Sequence, residues 1–294
     1  MDLDPAAIVA TLKAGIPARY HEKLVVVGSV AVACHFAAKL TTSAINTKDA
    51  DVIVEPSGSV RACRQLAEAL LKRGWGHRRE RGFDPQPSRR SKGRKPYVKL
   101  ELPGGGGFFV EFLGIPRRDE PVAKREVDLE LPDGWYAMPV FRFMRLTTVA
   151  PCRSPSGLHY AAPWMMALAN LLSHPRIGEQ TMSYDGRLRA AKDLGRVLAI
   201  ARLSEVAELE AWPARWEAGL RECFPRSRGA LARGVDRGLV ELFTKPRAVK
   251  DAIATVDGLG LLRGSRVSEE SLRATAGQLQ ALAIEPLKRG VKGE

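Results

Sequence analysis

One short segment constrains the fold of this chain more than any other. Residues 23–29 read KLVVVGS, a β-branched apolar run that ends in Gly28 and Ser29, and an alanine-rich stretch follows at once. Short β-branched runs of this kind are typical of buried strands, and glycine permits a sharp change of backbone direction. The segment therefore predicts a buried strand that turns directly into a helix at Gly28 and Ser29.

Two further segments place carboxylates on apolar strands. The sequence DADVIVEP begins at Asp49, and Glu111 lies in the middle of FFVEFLG. Since side chains alternate along a strand, Asp49 and Asp51 share one face. A carboxylate among apolar neighbours is costly unless it is paired, hydrogen-bonded or bound to a cation. We expect Asp49, Asp51 and Glu111 to converge on one Mg²⁺ site, because this cation prefers oxygen ligands.

The turn at Gly28 and Ser29 supplies the chemistry that complements such a metal site. A helix that starts at the end of a strand directs backbone N–H groups and the positive end of its dipole towards an anion. We expect Gly28 and Ser29 to hold a phosphate group. An anion site beside a divalent metal is the arrangement used for phosphoryl and nucleotidyl transfer.

The order of elements predicts an α+β protein. Residues 59–73 have helical periodicity, YVKLEL and GFFVEFLG flank the PGGGG turn of a hairpin, and residues 114–150 suggest irregular extended structure. Helical patterns dominate from about residue 161, and the last ten residues are expected to fray. We therefore predict a mixed sheet flanked by helices in residues 1–150 and an all-helical domain in residues 151–294.

The charge of the chain indicates a polyanionic partner. The net charge is +13, and cations are concentrated between the aspartate strand and the Glu111 hairpin, in a segment rich in proline and glycine. We expect a mobile basic loop that contacts the backbone of RNA. Its cations are Arg78, Arg79, Arg81, Arg89, Arg90, Lys92, Arg94 and Lys95.

Several protein classes are disfavoured by the sequence. No apolar run reaches the roughly 18 residues that span a bilayer, and the N-terminus lacks the pattern of a secretory signal. The four cysteines form no CxxC pair, which argues against a zinc site or a disulfide framework. We expect a cytoplasmic protein with no membrane partner.

Taken together, the Gly28–Ser29 turn, the Asp49–Asp51 strand and the later Glu111 strand resemble the nucleotidyltransferase fold. Within that superfamily the chain looks most like the AbiEii-type nucleotidyltransferases, the toxins of bacterial toxin–antitoxin and abortive-infection systems. The similarity spans roughly residues 20–205. It includes the longer spacing between the turn and the aspartates, and a Lys-Asp pair in RAAKDLGRVLAIARL, at Lys192 and Asp193.

The resemblance implies a function and a role for each motif. It implies transfer of a nucleoside monophosphate from an NTP to a hydroxyl, plausibly at the 3′ end of tRNA, by a toxin that a cognate antitoxin protein restrains. It implies that Gly28 and Ser29 hold the triphosphate and that Asp49 and Asp51 ligate Mg²⁺. Glu111 would complete the metal site and accept the proton of the acceptor hydroxyl. Lys192 and Asp193 would contact the nucleotide or orient each other.

Simpler roles remain open for the same residues. Ser29 could serve simply as a helix cap. The two aspartates could be solvated at the start of an edge strand, and Glu111 could pair with Arg117 or Arg118. Lys192 and Asp193 could form a solvated helix face, and the basic segment could be a linker.

Two other functions also remain open. The acceptor could be a small molecule or a protein hydroxyl, or the chain could be a non-catalytic module that binds RNA or a partner. The second possibility arises because the helix APWMMALANLL contains no lysine, where the resembled toxins usually carry one.

Overall fold

The computed structural model describes most of the chain and divides it into two compact units. The described residues are 3–40, 45, 47–55, 59–78, 84–91, 94–105, 107–116, 124–177, 186–258, 260–265 and 267–290. Unit 1 comprises Met1–Cys34 and Ala44–Ala161, and unit 2 comprises His35–Ser43 and Ala162–Glu294. The predicted α+β class is confirmed, since unit 1 holds a mixed sheet and helices dominate the C-terminal half.

Unit 1 is built on a seven-stranded mixed sheet. Its strands are β1 Leu24–Val27, β2 Asp49–Val54, β3 Gly76–His77, β4 Lys99–Glu101, β5 Phe109–Leu113, β8 Cys152–Arg153 and β9 His159–Tyr160. They lie in the order β3-β4-β5-β2-β1-β9-β8. β1 runs antiparallel to β2 and parallel to β9, while β5 runs parallel to β2 and antiparallel to β4. All four residues of β1 are buried, as expected for a β-branched run in the centre of a sheet.

The expectation of irregular structure over residues 114–150 is wrong. β6 Lys124–Leu131 and β7 Gly134–Phe141 form a two-stranded antiparallel sheet, and a 3-10 helix follows over Arg142–Thr148. The hairpin turns at Gly134, whose φ of +142° is readily adopted only by glycine. Val127, Leu129 and Leu131 alternate with charged residues in β6, a period-2 pattern that is typical of a strand with one buried face.

Two helices of unit 1 begin at polar caps. The Asp4 carboxylate accepts a hydrogen bond from the Ala6 amide at 2.9 Å at the start of α1, and the Ser59 hydroxyl accepts one from the Ala62 amide at 3.1 Å at the start of α3. Caps of this kind stabilise a helix by about 1 kcal/mol. The elements are α1 Pro5–Gly15, a 3-10 helix Ala18–Lys23, α2 Gly28–His35, which ends at the first residue of unit 2, and α3 Val60–Leu71.

Unit 2 is helical and packs around buried tryptophans. Trp212 and Trp216 are almost fully buried, and the Trp216 indole donates a hydrogen bond to the Trp164 carbonyl at 2.7 Å. The helices are α4 Pro163–Ile177, α5 Arg189–Leu203, α6 Val206–Cys223, α7 Arg228–Arg233, α8 Arg237–Leu242, α9 Pro246–Gly258, α10 Glu269–Leu279 and α11 Glu285–Gly290, with a π-helical turn Gln280–Ile284 before α11. Among the described helices, none is both long and apolar enough to cross a membrane.

The C-terminal pattern differs from the expectation in two places. The stretch ALARGVDRGLVELF forms two short helices, since α7 ends where Gly234 interrupts it. The tail that was expected to fray is helical as far as Gly290. The Lys288 ammonium lies 2.7 Å from a carboxylate oxygen of Asp236, which anchors this last helix within unit 2.

We expect two helix glycines of unit 2 to respond to alanine in opposite directions. A Cβ at Gly195 of α5 would lie 2.9 Å from the Ala252 carbonyl oxygen of α9, whereas one at Gly277 would meet nothing within 4 Å. Gly195→Ala should lower the free energy of unfolding by roughly 1–3 kcal/mol through overpacking. Gly277→Ala should raise it by about 0.5–1 kcal/mol through backbone entropy. Urea denaturation followed by tryptophan fluorescence measures both, and equal stability of the two variants would contradict the close α5–α9 packing.

Candidate active site

The register of three adjacent strands brings the predicted carboxylates to one face of the sheet. Asp51 lies opposite Val27 of β1 on one side and opposite Glu111 of β5 on the other. Asp49 shares this face because it is two residues away. One carboxylate oxygen from each of Asp49, Asp51 and Glu111 lies within 4.8 Å of the others, and all three residues are half-buried. β2 lies between β1 and β5, so the aspartates are not on an edge strand.

Such a cluster is unfavourable without a compensating positive charge. Two unit charges 4.8 Å apart repel each other by roughly 3 kcal/mol at the effective dielectric constant of about 20 that suits protein sites. A bound divalent cation would replace this repulsion between carboxylates with attraction of each carboxylate to the cation. The donors are all carboxylate oxygens, which suit Mg²⁺, Mn²⁺ or Ca²⁺ rather than softer metals. The residues present therefore fit a divalent hard cation.

The hydroxyl of Thr47 holds the first aspartate of the cluster. Its Oγ1 donates to Oδ1 of Asp49 and lies 3.4 Å from the Asp49 carbonyl oxygen. Thr47 is buried and Asp49 is half-buried, so this contact is partly buried. Thr47 was not among the predicted site residues, although its place two residues before Asp49 is compatible with such a local side-chain bond.

Gly28 lies against the second aspartate. It is the first residue of α2 and has a φ of +73°, a conformation that side chains with a Cβ rarely adopt. A Cβ at this position would lie 2.6 Å from Oδ2 of Asp51. Ser29 follows as the second residue of α2 and is 7% exposed. The backbone turn and the carboxylates are thus immediate neighbours, as a joint phosphate and metal site requires.

Cations border the cluster on the side away from Gly28. Lys99 of β4 lies opposite Glu111 in register and so shares the face of the carboxylates. The Lys99 ammonium is 5.4 Å and the Arg78 guanidinium carbon 4.4 Å from the centroid of the Phe109 ring, which lies opposite Asp49. Lys99 was not among the predicted site residues, because the glycine-rich turn leaves the register of the hairpin undetermined.

The predicted RNA-binding cations occupy varied environments. Arg89 and Lys95 contact the two carboxylate oxygens of Asp128 at 3.1 and 3.0 Å. Partial burial alone would raise the pKa of Asp128, but hydrogen bonds from Lys95 and Arg89 outweigh it and hold the pKa below its usual range. Arg90 and Arg94 are exposed. Arg79, Arg81 and Lys92 lie outside the described residues, as do Arg117 and Arg118, the alternative partners for Glu111.

The Lys-Asp pair lies in unit 2. Lys192 and Asp193 are half-buried on α5. A carboxylate oxygen of Asp193 lies 4.0 Å from Nη1 of Arg196, one turn further along the helix. Arg196 is buried, so this ion pair is partly sheltered from screening by solvent.

Comparison with known proteins adds no identification. No family model, no curated protein and no solved structure matches the chain.

We expect Gly28→Ala to weaken cation binding by moving Asp51. The substitution adds about 1–2 kcal/mol of backbone strain at positive φ, and it forces the Asp51 carboxylate away from the new Cβ. Isothermal titration with Mn²⁺ should show affinity reduced roughly tenfold or more, as when groups that orient metal ligands are lost. Gly76→Ala is the control, since a Cβ there meets nothing within 4 Å. Unchanged Mn²⁺ affinity in Gly28→Ala would show that this close approach does not position Asp51.

Proposed function

We propose that this protein is a Mg²⁺-dependent nucleotidyltransferase that moves a nucleoside monophosphate from an NTP to a hydroxyl group. The observation that carries the proposal is the cluster of three carboxylates within 4.8 Å of one another, directly beside the positive-φ turn of Gly28. A carboxylate cluster alone would suit many cation sites. Its position against the start of a helix adds a place for a phosphate group, which favours phosphoryl chemistry.

Asp49, Asp51 and Glu111 are the residues that would hold Mg²⁺. The cation, when bound, supplies charge stabilisation for the reacting phosphate. Thr47 orients Asp49 through its hydroxyl. Glu111 lies on β5, between β4, which carries Lys99, and β2, which carries Asp51. Asp51 is therefore nearer to Gly28 than Glu111 is. In our proposal Glu111 also accepts the proton of the acceptor hydroxyl as the hydroxyl oxygen bonds to the α-phosphorus of the NTP and the bond from that phosphorus to the leaving pyrophosphate breaks.

The triphosphate is assigned to the start of α2. Backbone N–H groups in the first turn of a helix have no intrahelical acceptor and favour anions. Gly28 allows the close approach of a phosphate, and Ser29 offers a hydroxyl beside it. By resemblance, Lys192 and Asp193 contact the nucleotide.

An RNA acceptor is favoured by charge. The chain carries a net charge of +13, and the carboxylate cluster is bordered by Lys99 and Arg78. A positive surface attracts polyanions and accelerates their encounter. By resemblance, the acceptor is the 3′ end of tRNA, the protein acts in the cytoplasm as a toxin, and a cognate antitoxin protein restrains it.

Removing the metal-binding charges should abolish transfer without unfolding the protein. We expect Asp49→Asn with Asp51→Asn, and separately Glu111→Gln, to lose all labelling when the protein is incubated with each labelled NTP, Mg²⁺ and total RNA. These isosteric changes also relieve the repulsion among the carboxylates, so thermal stability without metal should hold or rise. Glu222→Gln at an exposed position of α6 is the control and should transfer normally. Full labelling by the Asp49/Asp51 variant would refute the proposed reaction, and growth arrest without labelling would favour a binding module.

Neutralising exposed arginines of the basic segment separates an RNA acceptor from a small one. We expect Arg90→Gln with Arg94→Gln to raise KM for RNA and to leave KM for the NTP unchanged, because the proposal assigns these cations to the acceptor backbone and not to the nucleotide. Steady-state kinetics at several salt concentrations measure the effect. The matched control is Arg226→Gln with Arg233→Gln, two exposed residues of unit 2. Transfer to a small molecule or a protein hydroxyl would make the two variants indistinguishable.

A further inference from the structure

A cationic groove lies in unit 1, formed by elements that the proposed reaction does not use. It has a volume of about 380 Å³ and runs between the 3-10 helix Ala18–Lys23 and α3. Arg19, Tyr20 and Lys23 line one wall, and Gln65, Glu68 and Lys72 line the other.

The charges of this groove are strongly unbalanced. Its lining contains three cations and one carboxylate, Glu68, and an Oε1 of that residue already lies 3.6 Å from Nε of Arg64. Arg19, Lys23 and Lys72 are exposed, and within the described part of the chain no ion pair reaches any of them. In contrast, Arg89 and Lys95 of the basic segment share Asp128.

The walls of the groove are held by the fold. Tyr20 is 7% exposed, and the Arg19 guanidinium carbon lies 5.0 Å from the centroid of its ring. The 3-10 helix leads directly into the buried strand β1, and Ser59 caps the start of α3. Cations on such elements lose less conformational freedom on binding than cations on a long loop.

The position of the groove relates it to the carboxylate cluster. Lys23 directly precedes the first residue of β1, whereas Gly28 directly follows the last. The two sites therefore lie at opposite ends of one strand, roughly 15 Å apart at about 3.3 Å per residue. A ligand that reached both sites would have to be an extended polyanion.

We propose that this groove binds the phosphodiester backbone of a single-stranded nucleic acid. Lysine and arginine neutralise phosphates independently of base sequence. The groove is too large for one phosphate, and polar or charged side chains form most of its lining. An acidic peptide is less well suited, since protein partners dock on surfaces with an apolar centre. The inference concerns a separate site and does not require the transfer reaction.

Binding in the absence of catalysis tests the proposal. The probe is a fluorescein-labelled single-stranded RNA of twelve uridines, titrated by fluorescence anisotropy in EDTA without NTP. The variant is Arg19→Gln, Lys23→Gln and Lys72→Gln combined. The control is Arg226→Gln, Arg233→Gln and Arg237→Gln combined, which removes the same charge from exposed positions of unit 2.

We expect the groove variant to bind this RNA on the order of tenfold to a hundredfold more weakly at 0.1 M salt. Its plot of log affinity against log salt should be shallower by about 2, since each single-strand phosphate contact contributes about 0.7. The control should change affinity much less. Equal losses in both variants, or no loss in the groove variant, would overturn the proposal.

Two further arms complete the test. In the first arm, a polyglutamate peptide of equal charge replaces the RNA. If the groove variant loses affinity for the peptide but not for the RNA, the site belongs to an acidic protein instead. If the triple variant fails to fold, Lys23→Gln and Lys72→Gln are measured singly, each with an expected slope change of about 0.7. RNA binding through the groove by a protein that transfers no label would refute only the proposed reaction. Transfer to RNA with an unaffected groove variant would refute only this inference.

Discussion

The structure of the candidate site depends on holding three like charges together. The register of β1, β2 and β5 brings Asp49, Asp51 and Glu111 within 4.8 Å of one another although their negative charges oppose this arrangement. Backbone pairing and the apolar neighbours of the strands provide the opposing force. The surrounding groups are consistent with this demand, since Thr47 holds Asp49 and a glycine is required where α2 meets Asp51. Like charges held close together lower the stability of the fold, and such unfavourable arrangements are more typical of functional sites than of purely structural regions.

Much of this arrangement was predictable from local sequence patterns. Val25, Val26 and Val27 have the β-branched character of a buried strand, and the spacing of Asp49 and Asp51 fixes their shared face without knowledge of the fold. The polar caps Asp4 and Ser59 likewise mark the helix starts that the structure shows. These features depend on neighbours within a few residues, which is the range at which sequence patterns are informative.

Features that depend on distant pairing were missed. Lys99 shares the face of Glu111 only because of the register across a long glycine-rich turn, and no side chain in that turn specifies the register. The hairpin of β6 and β7 is a different case, because Glu126 and Asp128 alternate with apolar residues as in a half-buried strand, and this local signal was overlooked. The cationic groove does depend on distant pairing, since Arg19 and Lys72 are far apart in sequence and lie together only in the folded chain.

The division into units has a consequence for how the chain can be cut or recombined. Residues 35–43 belong to unit 2, although the chain returns to unit 1 afterwards. Within unit 2, the Lys39 ammonium donates to the Leu203 carbonyl at 2.9 Å and contacts Glu205 at 2.6 Å. The helical half is thus completed by a segment that the ribosome synthesises long before the rest of it. A gene fusion that exchanged everything after Ala161 would leave this segment behind. The two units therefore cannot be exchanged between proteins by a single cut in the chain.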